Sequence, residues 1–258
     1  MEGQKVAVVT GAGMGIGRAI ACRLAADGFA VVVNDVQEAC AKETVELITS
    51  ADGRAMAVMG DVTDRFSVDD LISQAVAEFG VLDVMVANAG IVQVAPLLEI
   101  NESDFDALFA VNVKGVLWCA QAAAAQMIKQ GSGGKIINAA SLAAHMGTAM
   151  LGVYTASKFA VRGLTQSLAK ELAPHGITVN AYCPGIVDTG MWETIDSRAS
   201  QVMGIPKGAM LAQVKEQISL GRMQAPSDVA DFVSFLASTN SDYMTGQSVL
   251  IDGGIFMN

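Results

Sequence analysis

Three residues in one segment have the side chains for proton transfer: Ser141, then Tyr154, then Lys158 four positions further on. On a helix, positions i and i+4 share a face, so the Tyr154 phenol and the Lys158 ammonium can point into one cleft. A phenol with a reference pKa of about 10 is a poor base at neutral pH, and a nearby cation favours its ionised form. Tyr154 would then exchange a proton with an alcohol or carbonyl oxygen. Ser141, arriving from the end of a strand, would donate a hydroxyl to that oxygen and hold it. These are parts for general acid–base chemistry on a C–O bond. The Tyr–Lys spacing alone is ambiguous, because an aromatic packed beside a solvated lysine gives the same pattern.

The elements that must position this pair begin at residues 5–10, a short valine-rich run that reads as a buried strand. It runs into Thr10-Gly11-Ala12-Gly13-Met14-Gly15-Ile16-Gly17-Arg18, and helical spacing follows from Ile20 and Leu24. Strand, glycine turn and helix in that order suit a diphosphate: glycines let the backbone approach it, and the helix N-terminus offers free N–H groups and a positive dipole end. The spacing is Gly11, Gly15, Gly17 rather than the usual G-x-G-x-x-G, so an ordinary glycine-rich turn is the alternative. A second strand over 30–34 ends at Asp35, where a carboxylate would accept from an adenosine ribose 2′-hydroxyl and repel a 2′-phosphate. With no basic residue at Met14 or Val36, this favours NAD over NADP; the alternative is that Asp35 only caps the next helix.

Further along, a helix over 37–50 leads to a strand over 54–59 with Asp61-Val62 at its carboxyl end. A helix over 67–79 then leads to a strand over 84–87 that opens into Asn88-Ala89-Gly90. Singly, Asp61 and Asn88 are ordinary turn-formers; their shared position at strand ends marks them as ligand candidates. Helices over 102–111 and 113–130 flank Asn112, a strand over 135–139 delivers Ser141, and the Tyr154 helix continues to about 172. A strand over 178–183 opens into Pro184-Gly185-Ile186-Val187-Asp188-Thr189-Gly190-Met191-Trp192; a helix over 226–236, a strand over 248–251 and a tail over 253–258 complete the chain. No linker, repeat or composition break appears. The alternation predicts an α/β, single-domain Rossmann fold over 1–258: a doubly wound parallel seven-stranded sheet with helices on both faces and its ligand at the carboxyl edge. Residues 190–221 are the least regular, with a break at 204–208, and read as a substrate lid or as plain surface structure. The helix over 113–130 is apolar around most of its circumference, so it is expected to meet its own sheet and another subunit, or to be deeply buried.

Of the 258 residues 52% are hydrophobic and 16% charged, which excludes disorder. The net charge of −10 argues against nucleic acid, which needs a clustered basic face. Apolar runs are interrupted by Gly, Lys or Asn before membrane-spanning length, and no basic segment with an apolar signal core opens the chain, so no membrane association and a cytoplasmic location are expected. Cys22, Cys40, Cys119 and Cys183 are scattered and read as buried free thiols. With only His145 and His175, no metal site is expected. Asn101-Glu102-Ser103 fits a glycosylation sequon only formally.

Thr10–Gly17, Asp61-Val62, Asn88-Ala89-Gly90, Asn112, Ser141, Tyr154 with Lys158, and Pro184-Gly185, taken in this order, resemble the short-chain dehydrogenase/reductase family across essentially the whole chain. The resemblance implies Tyr154 as acid/base and Lys158 as its activator, also bonding the nicotinamide ribose. Ser141 would position the reacting oxygen and Asn112 would support a water in the proton path. Cofactor contacts implied along the chain are Gly11, Met14, Gly15 and Ile16; Asp35; Asp61 and Val62; Asn88, Ala89 and Gly90; Tyr154 and Lys158; and Pro184, Gly185, Val187 and Thr189. Substrate contacts implied are Ser141, Leu142, Tyr154, Gly185 and Trp192. Finer similarity, in stretches such as Lys114–Trp118, Gly134–Ala139, Lys158–Gln166 and Ser241–Gln247, is to the family's butanediol dehydrogenases, or acetoin (diacetyl) reductases. That group implies an NAD-dependent homotetramer acting on small vicinal diols, hydroxyketones and diketones. Leu142 stands where the meso-butanediol members carry glutamine, which leaves stereochemistry open. His145 either lines the pocket or makes a structural hydrogen bond; Met191 and Trp192 either close its apolar side or form lid core. The alternatives on the same scaffold are a polyol dehydrogenase, a 3-oxoacyl reductase, or a nucleotide-binding regulatory protein without turnover.

Overall fold

The structure, a computed structural model, describes residues 3–257. Seven strands form its centre: β1 (Val6–Thr10), β2 (Ala30–Asp35), β3 (Arg54–Met59), β4 (Val84–Ala87), β5 (Gly134–Ala139), β6 (Ile177–Pro184) and β7 (Ser248–Ile251). They lie in the order β3-β2-β1-β4-β5-β6-β7, and every adjacent pair is parallel. The order reverses between β1 and β4, so the crevice for a ligand opens beyond Thr10 and Ala87.

Nine helices connect the strands among the described residues: α1 (Gly15–Ala26), α2 (Glu38–Ser50), α3 (Arg65–Phe79), α4 (Glu102–Phe109), α5 (Val116–Gln130), α6 (Gly152–Leu172), α7 (Gly190–Met203), α8 (Ala209–Lys215) and α9 (Pro226–Ala237). Strand residues alternate between the two faces. Val8, Val32 and Ile136 meet α3, α5 and α6, while Ala7, Val9, Val31, Val33 and Ile137 meet α1, α2 and α9. Burial on both faces explains why these strands are continuous apolar runs with no polar alternation. The expected α/β architecture is therefore present, with strand ends within a residue or two of the sequence reading.

One local feature differs from it, and two others add to it. The two helices expected around Asn112 form one continuous run of 29 residues, Glu102–Gln130, with a π-helical segment at Ala110–Gly115 where a break was expected. That run is long and apolar enough to cross a membrane, but half of its most apolar window is buried within the fold. Asn101, the formal sequon asparagine, caps α4 by accepting from the Asp104 N–H at 2.9 Å. The tail over 253–258, of which Asn258 lies outside the described residues, is tied down. Asp252 accepts from the Gly254 and Phe256 amides at 3.0 and 2.8 Å, and the Gly253 carbonyl accepts from Leu220 N–H at 3.1 Å.

In the irregular stretch, α7 and α8 flank a break at Gly204 and Gly208, both with left-handed φ of 66° and 91°. Buried Asp196 joins them, accepting from the Gly208 and Leu211 amides at 2.6 and 3.0 Å.

Candidate active site

The carboxyl ends of β1, β2, β4, β5 and β6 converge on one crevice. At its centre the glycine turn after β1 is held by neighbours that leave no room for side chains at positions 11, 13 and 17. Gly11 has φ +60°, and a β-carbon on it would lie 2.9 Å from Ala89 Cα; one on Gly17 would collide with the Gly11 carbonyl. One on Gly13 would lie 2.8 Å from Asp35 Oδ2. No side chain caps α1 at Met14, so its first-turn N–H groups face the crevice unclaimed by a side chain. Ile16 packs into the core on the α1 side. A diphosphate cradle has these properties, so the residues fit a dinucleotide.

Asp35 is buried and both carboxylate oxygens are engaged: Oδ2 accepts from Gly13 N–H at 2.9 Å and Oδ1 from Gln37 N–H at 3.0 Å. It thus braces the glycine turn and also turns the chain into α2. Asp61 is exposed, with Oδ1 accepting from Thr63 N–H at 2.8 Å as a turn-former, while Val62 is buried against Gly115. Asn88 donates to the Thr10 and Gly11 carbonyls at 2.8 and 3.1 Å and accepts from the Tyr182 hydroxyl at 2.8 Å. Beyond it, a β-carbon on Gly90 would sit 3.4 Å from Asn112 Oδ1 and 3.6 Å from Lys158 Nζ, so these three groups meet.

Asn112 is fully buried on the π-helical segment. Its amide accepts from Ile91 N–H and donates to Ile91 O, both at 2.9 Å, and donates to Ser157 Oγ at 3.1 Å. Ser157 in turn donates to the Tyr154 carbonyl at 2.6 Å. Both N–H groups of the Asn112 side chain are therefore taken by protein partners, and through Ser157 it is tied to the backbone of the Tyr154 helix.

Ser141 follows β5, its Oγ accepting from Ala143 N–H at 3.1 Å, and its hydroxyl lies near enough to the Tyr154 phenol to favour the ionised form. Lys158 is buried, with Nζ 5.5 Å from the Tyr154 ring centre and donating to Ala139 O at 2.8 Å. The expectation that Lys158 lowers the Tyr154 pKa is corrected here. Burial pushes the phenol above its ordinary value, and the opposing pull comes from the Ser141 hydroxyl. Burial also brings Lys158 down to about 8. Removal from water disfavours both charged forms, and the ammonium is turned toward a carbonyl.

The substrate side is apolar. Tyr154, Trp192, Met150 and Met210 pack on a small cluster of Val94, Leu151, Ile195 and Ala199, built from the β4–α4 loop, the start of α6 and the helices α7 and α8. Met191 is outside it and partly exposed, and Leu142, on the 3₁₀ turn after Ser141, is not part of it. His145 faces away, toward the tail: Nδ1 lies 3.3 Å from Arg162 Nη1 and the ring 6.4 Å from that of Phe256, in line with the structural hydrogen-bond reading. Burial and Arg162 lower its pKa. Pro184 ends β6, and Gly185 permits close packing, since a β-carbon there would lie 2.8 Å from Asp252 Cα. Val187 bridges Gln224, and Thr189 lies across from Gly15, at 3.5 Å from where its β-carbon would be.

Sequence reasoning missed three groups. Buried Thr10 Oγ1 accepts from the Asn88 and Ala89 amides, both at 3.1 Å, and joins the two central strand ends; a hydroxyl closing an apolar strand was the available signal. Gly13 was passed over because its spacing fits no pattern, and Ser157 because a buried serine on a helix has no sequence signature.

A family model described as short chain dehydrogenase matches residues 5–200. The L-2,3-butanediol dehydrogenase of Corynebacterium glutamicum is 52% identical over 256 residues, covering 98% of this chain and 99% of that protein. A diacetyl reductase, (S)-acetoin forming, of Staphylococcus epidermidis is 50% identical over 252 residues, covering 97% and 98%. A crystal structure of a short-chain type dehydrogenase/reductase from Mycobacterium marinum superposes with a TM-score of 0.89 at 34% identity, covering 99% of this chain and 96% of that one.

Proposed function

The chain belongs to the short-chain dehydrogenase/reductase family, and from that premise we propose that it interconverts small vicinal diols, hydroxyketones and diketones, such as 2,3-butanediol, acetoin and diacetyl, with NAD. It is an oxidoreductase acting on CH–OH groups, and dehydrogenases of this family use nicotinamide cofactors. The observation that carries the finer reading is a Tyr154 phenol influenced by the neighbouring Ser141 hydroxyl and packed on a cluster of apolar side chains. Two curated relatives near half identity, named for butanediol and diacetyl, support the substrate class.

Bound nicotinamide supplies the hydride donor or acceptor. Everything else is work for this chain. Ser141 holds the reacting oxygen, and Tyr154 passes a proton to or from it. A phenol kept protonated by burial is the form that donates to a carbonyl, so the resting site suits ketone reduction. Lys158 orients and tunes the site beside Gly90, and Asn112 with Ser157 fixes the helix that carries both Tyr154 and Lys158. Gly11, Met14, Gly15 and Ile16 would hold the diphosphate; Asp61 and Val62, Asn88 and Ala89, and Pro184, Gly185, Val187 and Thr189 would line the rest of the cofactor cleft. Asp35 favours NAD, because a 2′-phosphate would face a carboxylate while the nearby Arg18 is already engaged by Gly13 O and Glu43. Leu142, Gly185 and Trp192 would border the substrate, with residues 190–221 as its lid. We place the enzyme in the cytoplasm as a homotetramer of single-domain chains.

The test follows NADH absorbance with diacetyl, acetoin, a ketose and an acetoacetyl thioester. Diacetyl and acetoin should be the preferred substrates, and Tyr154→Phe should lower kcat by about 10²–10⁴-fold while NADH still binds. Preference for the ketose or the thioester would move the substrate reading to a polyol dehydrogenase or a 3-oxoacyl reductase. Binding of NADH with no turnover of any of the four would favour a regulatory role, and a preference for NADPH would remove the role given to Asp35. Chiral analysis of the diol product answers what Leu142 leaves open.

A further inference from the structure

Just before the catalytic helix, Met150 adopts a left-handed backbone with φ +68°. Among the described non-glycine residues only Asp52 shares such a value, and Asp52 lies in an exposed turn after α2, where a short polar side chain tolerates it. For a methionine the same conformation presses the β-carbon against the backbone, so it persists only where surroundings impose it.

Those surroundings are visible on both sides of the residue. The Ala95 N–H donates to the Met150 carbonyl at 2.9 Å, and the Leu151 N–H donates to Thr148 O at 3.2 Å. Next to it, a β-carbon on Gly152 would approach Leu97 Cδ1, the tip of that side chain, to 2.7 Å, so the two segments lie close together. The turn is thus clamped against the segment after β4. Its consequence is to direct the Met150 side chain onto the apolar cluster that also takes Tyr154, Trp192 and Ile195.

If the Tyr154 phenol meets the reacting oxygen, the carbon substituents beside that oxygen lie against this wall. We propose that Met150 is a specificity-determining residue whose side chain limits the size of the alkyl group flanking the reacting carbon. A flexible thioether fills an irregular gap well, and the strained turn keeps it where a relaxed backbone would withdraw it. The proposal rests on the reading of Tyr154 as acid/base and adds the size limit to it.

The test compares kcat/KM for diacetyl and 3,4-hexanedione, which adds one methylene on each side, in the wild type and in Met150→Ala, Met150→Gly and Met150→Phe, with circular dichroism confirming the fold. One methylene in an apolar pocket changes kcat/KM by about 10–200-fold. The wild type should therefore prefer diacetyl by at least about tenfold, and both Ala and Gly variants should reduce that ratio by at least about tenfold, while Phe raises it. Glycine takes φ +68° without strain, so relaxation in the Gly variant alone would assign selectivity to the backbone and overturn the proposal. An unchanged ratio in the folded variants, or no preference in the wild type, overturns it too. Should Ala not fold, Phe decides the side-chain arm. If the wild type reduces no diketone but oxidises simple secondary alcohols, the substrate reading fails, and Met150 is judged by the same ratios on 2-propanol and 3-pentanol. Turnover of neither series sinks both.

Discussion

Lys158 is an ammonium with one protein acceptor, the Ala139 carbonyl, in a space that water barely reaches. Burial lowers its pKa to about 8 from an ordinary 10.5, so below pH 8 both folded and unfolded chains carry the proton and the folded state bears the full cost of the buried charge. Between about 8 and 10.5 the unfolded chain binds more protons than the folded one, and this contribution to stability rises with pH. Raised thiol and phenol pKa values at Cys119, Cys183 and Tyr182 act in the opposite sense above pH 9, so the lysine is isolated by difference. Urea unfolding of the cofactor-free wild type and of Lys158→Met should show a stability gap that shifts in favour of the wild type by up to about 3 kcal/mol across that window. A gap independent of pH would mean that the ammonium is solvated. Gly17 is limited by sterics alone. Gly17→Ala should destabilise the turn and abolish NADH binding, read by fluorescence titration, because the added carbon meets Gly11 O and Asn88 Nδ2. Gly15→Ala, whose added carbon would meet Thr189 at an ordinary contact distance of 3.5 Å but at φ +54°, should cost only about 1 kcal/mol.

Elements carry those residues, and here the sequence was legible where hydrophobic pattern decides structure. The strands β3, β4 and β7 have the boundaries that their apolar runs and flanking turn residues specify. The glycine turn, Ser141 and Tyr154 were readable because few residue types satisfy such geometry or chemistry. What pattern does not encode is pairing at a distance. Asn112 looked like a break between helices because an asparagine, a lysine and a glycine follow in close order. Instead, its amide finds Ile91 and Ser157, and the helix absorbs the misfit as a π-helical segment. The phenol pKa went the other way from expectation for a similar reason: spacing reports that Lys158 is near, but only burial and the direction of Nζ decide which effect wins. Thr10 is a third case, a hydroxyl that joins β1 to the end of β4. Thr10→Val keeps the shape but leaves the Ala89 amide without its acceptor and the Asn88 amide with Val86 O alone, at 3.0 Å, so the unfolding free energy should fall by about 1–3 kcal/mol, the cost of one buried donor left unpaired. A loss below a few tenths would show that water reaches those amides.

At the scale of the whole molecule, α5 presents an unbalanced surface. One side, with Cys119, Ala120, Ala123 and Met127, is buried against the sheet, and Ala122 and Ala124 are covered too. The other side exposes Gln121, Ala125 and Ile128 in line with the half-buried Trp118, over which the Arg65 guanidinium lies at 5.3 Å. On the neighbouring α4, Phe105 and Phe109 stack at 4.4 Å with Phe105 partly exposed. An apolar stripe of this length on a helix already packed on its other side is best covered by the same stripe of a second copy, since a two-fold contact makes each patch its own complement. Ala125 lies in the middle of that stripe and contributes nothing to the chain's own core. Ala125→Glu should therefore leave the circular dichroism spectrum intact but place an unpaired carboxylate in the interface, a cost of several kcal/mol. Sedimentation velocity should then show a species smaller than the proposed tetramer. If the mass stays that of the wild type, the stripe faces solvent and the assembly, if there is one, uses another face.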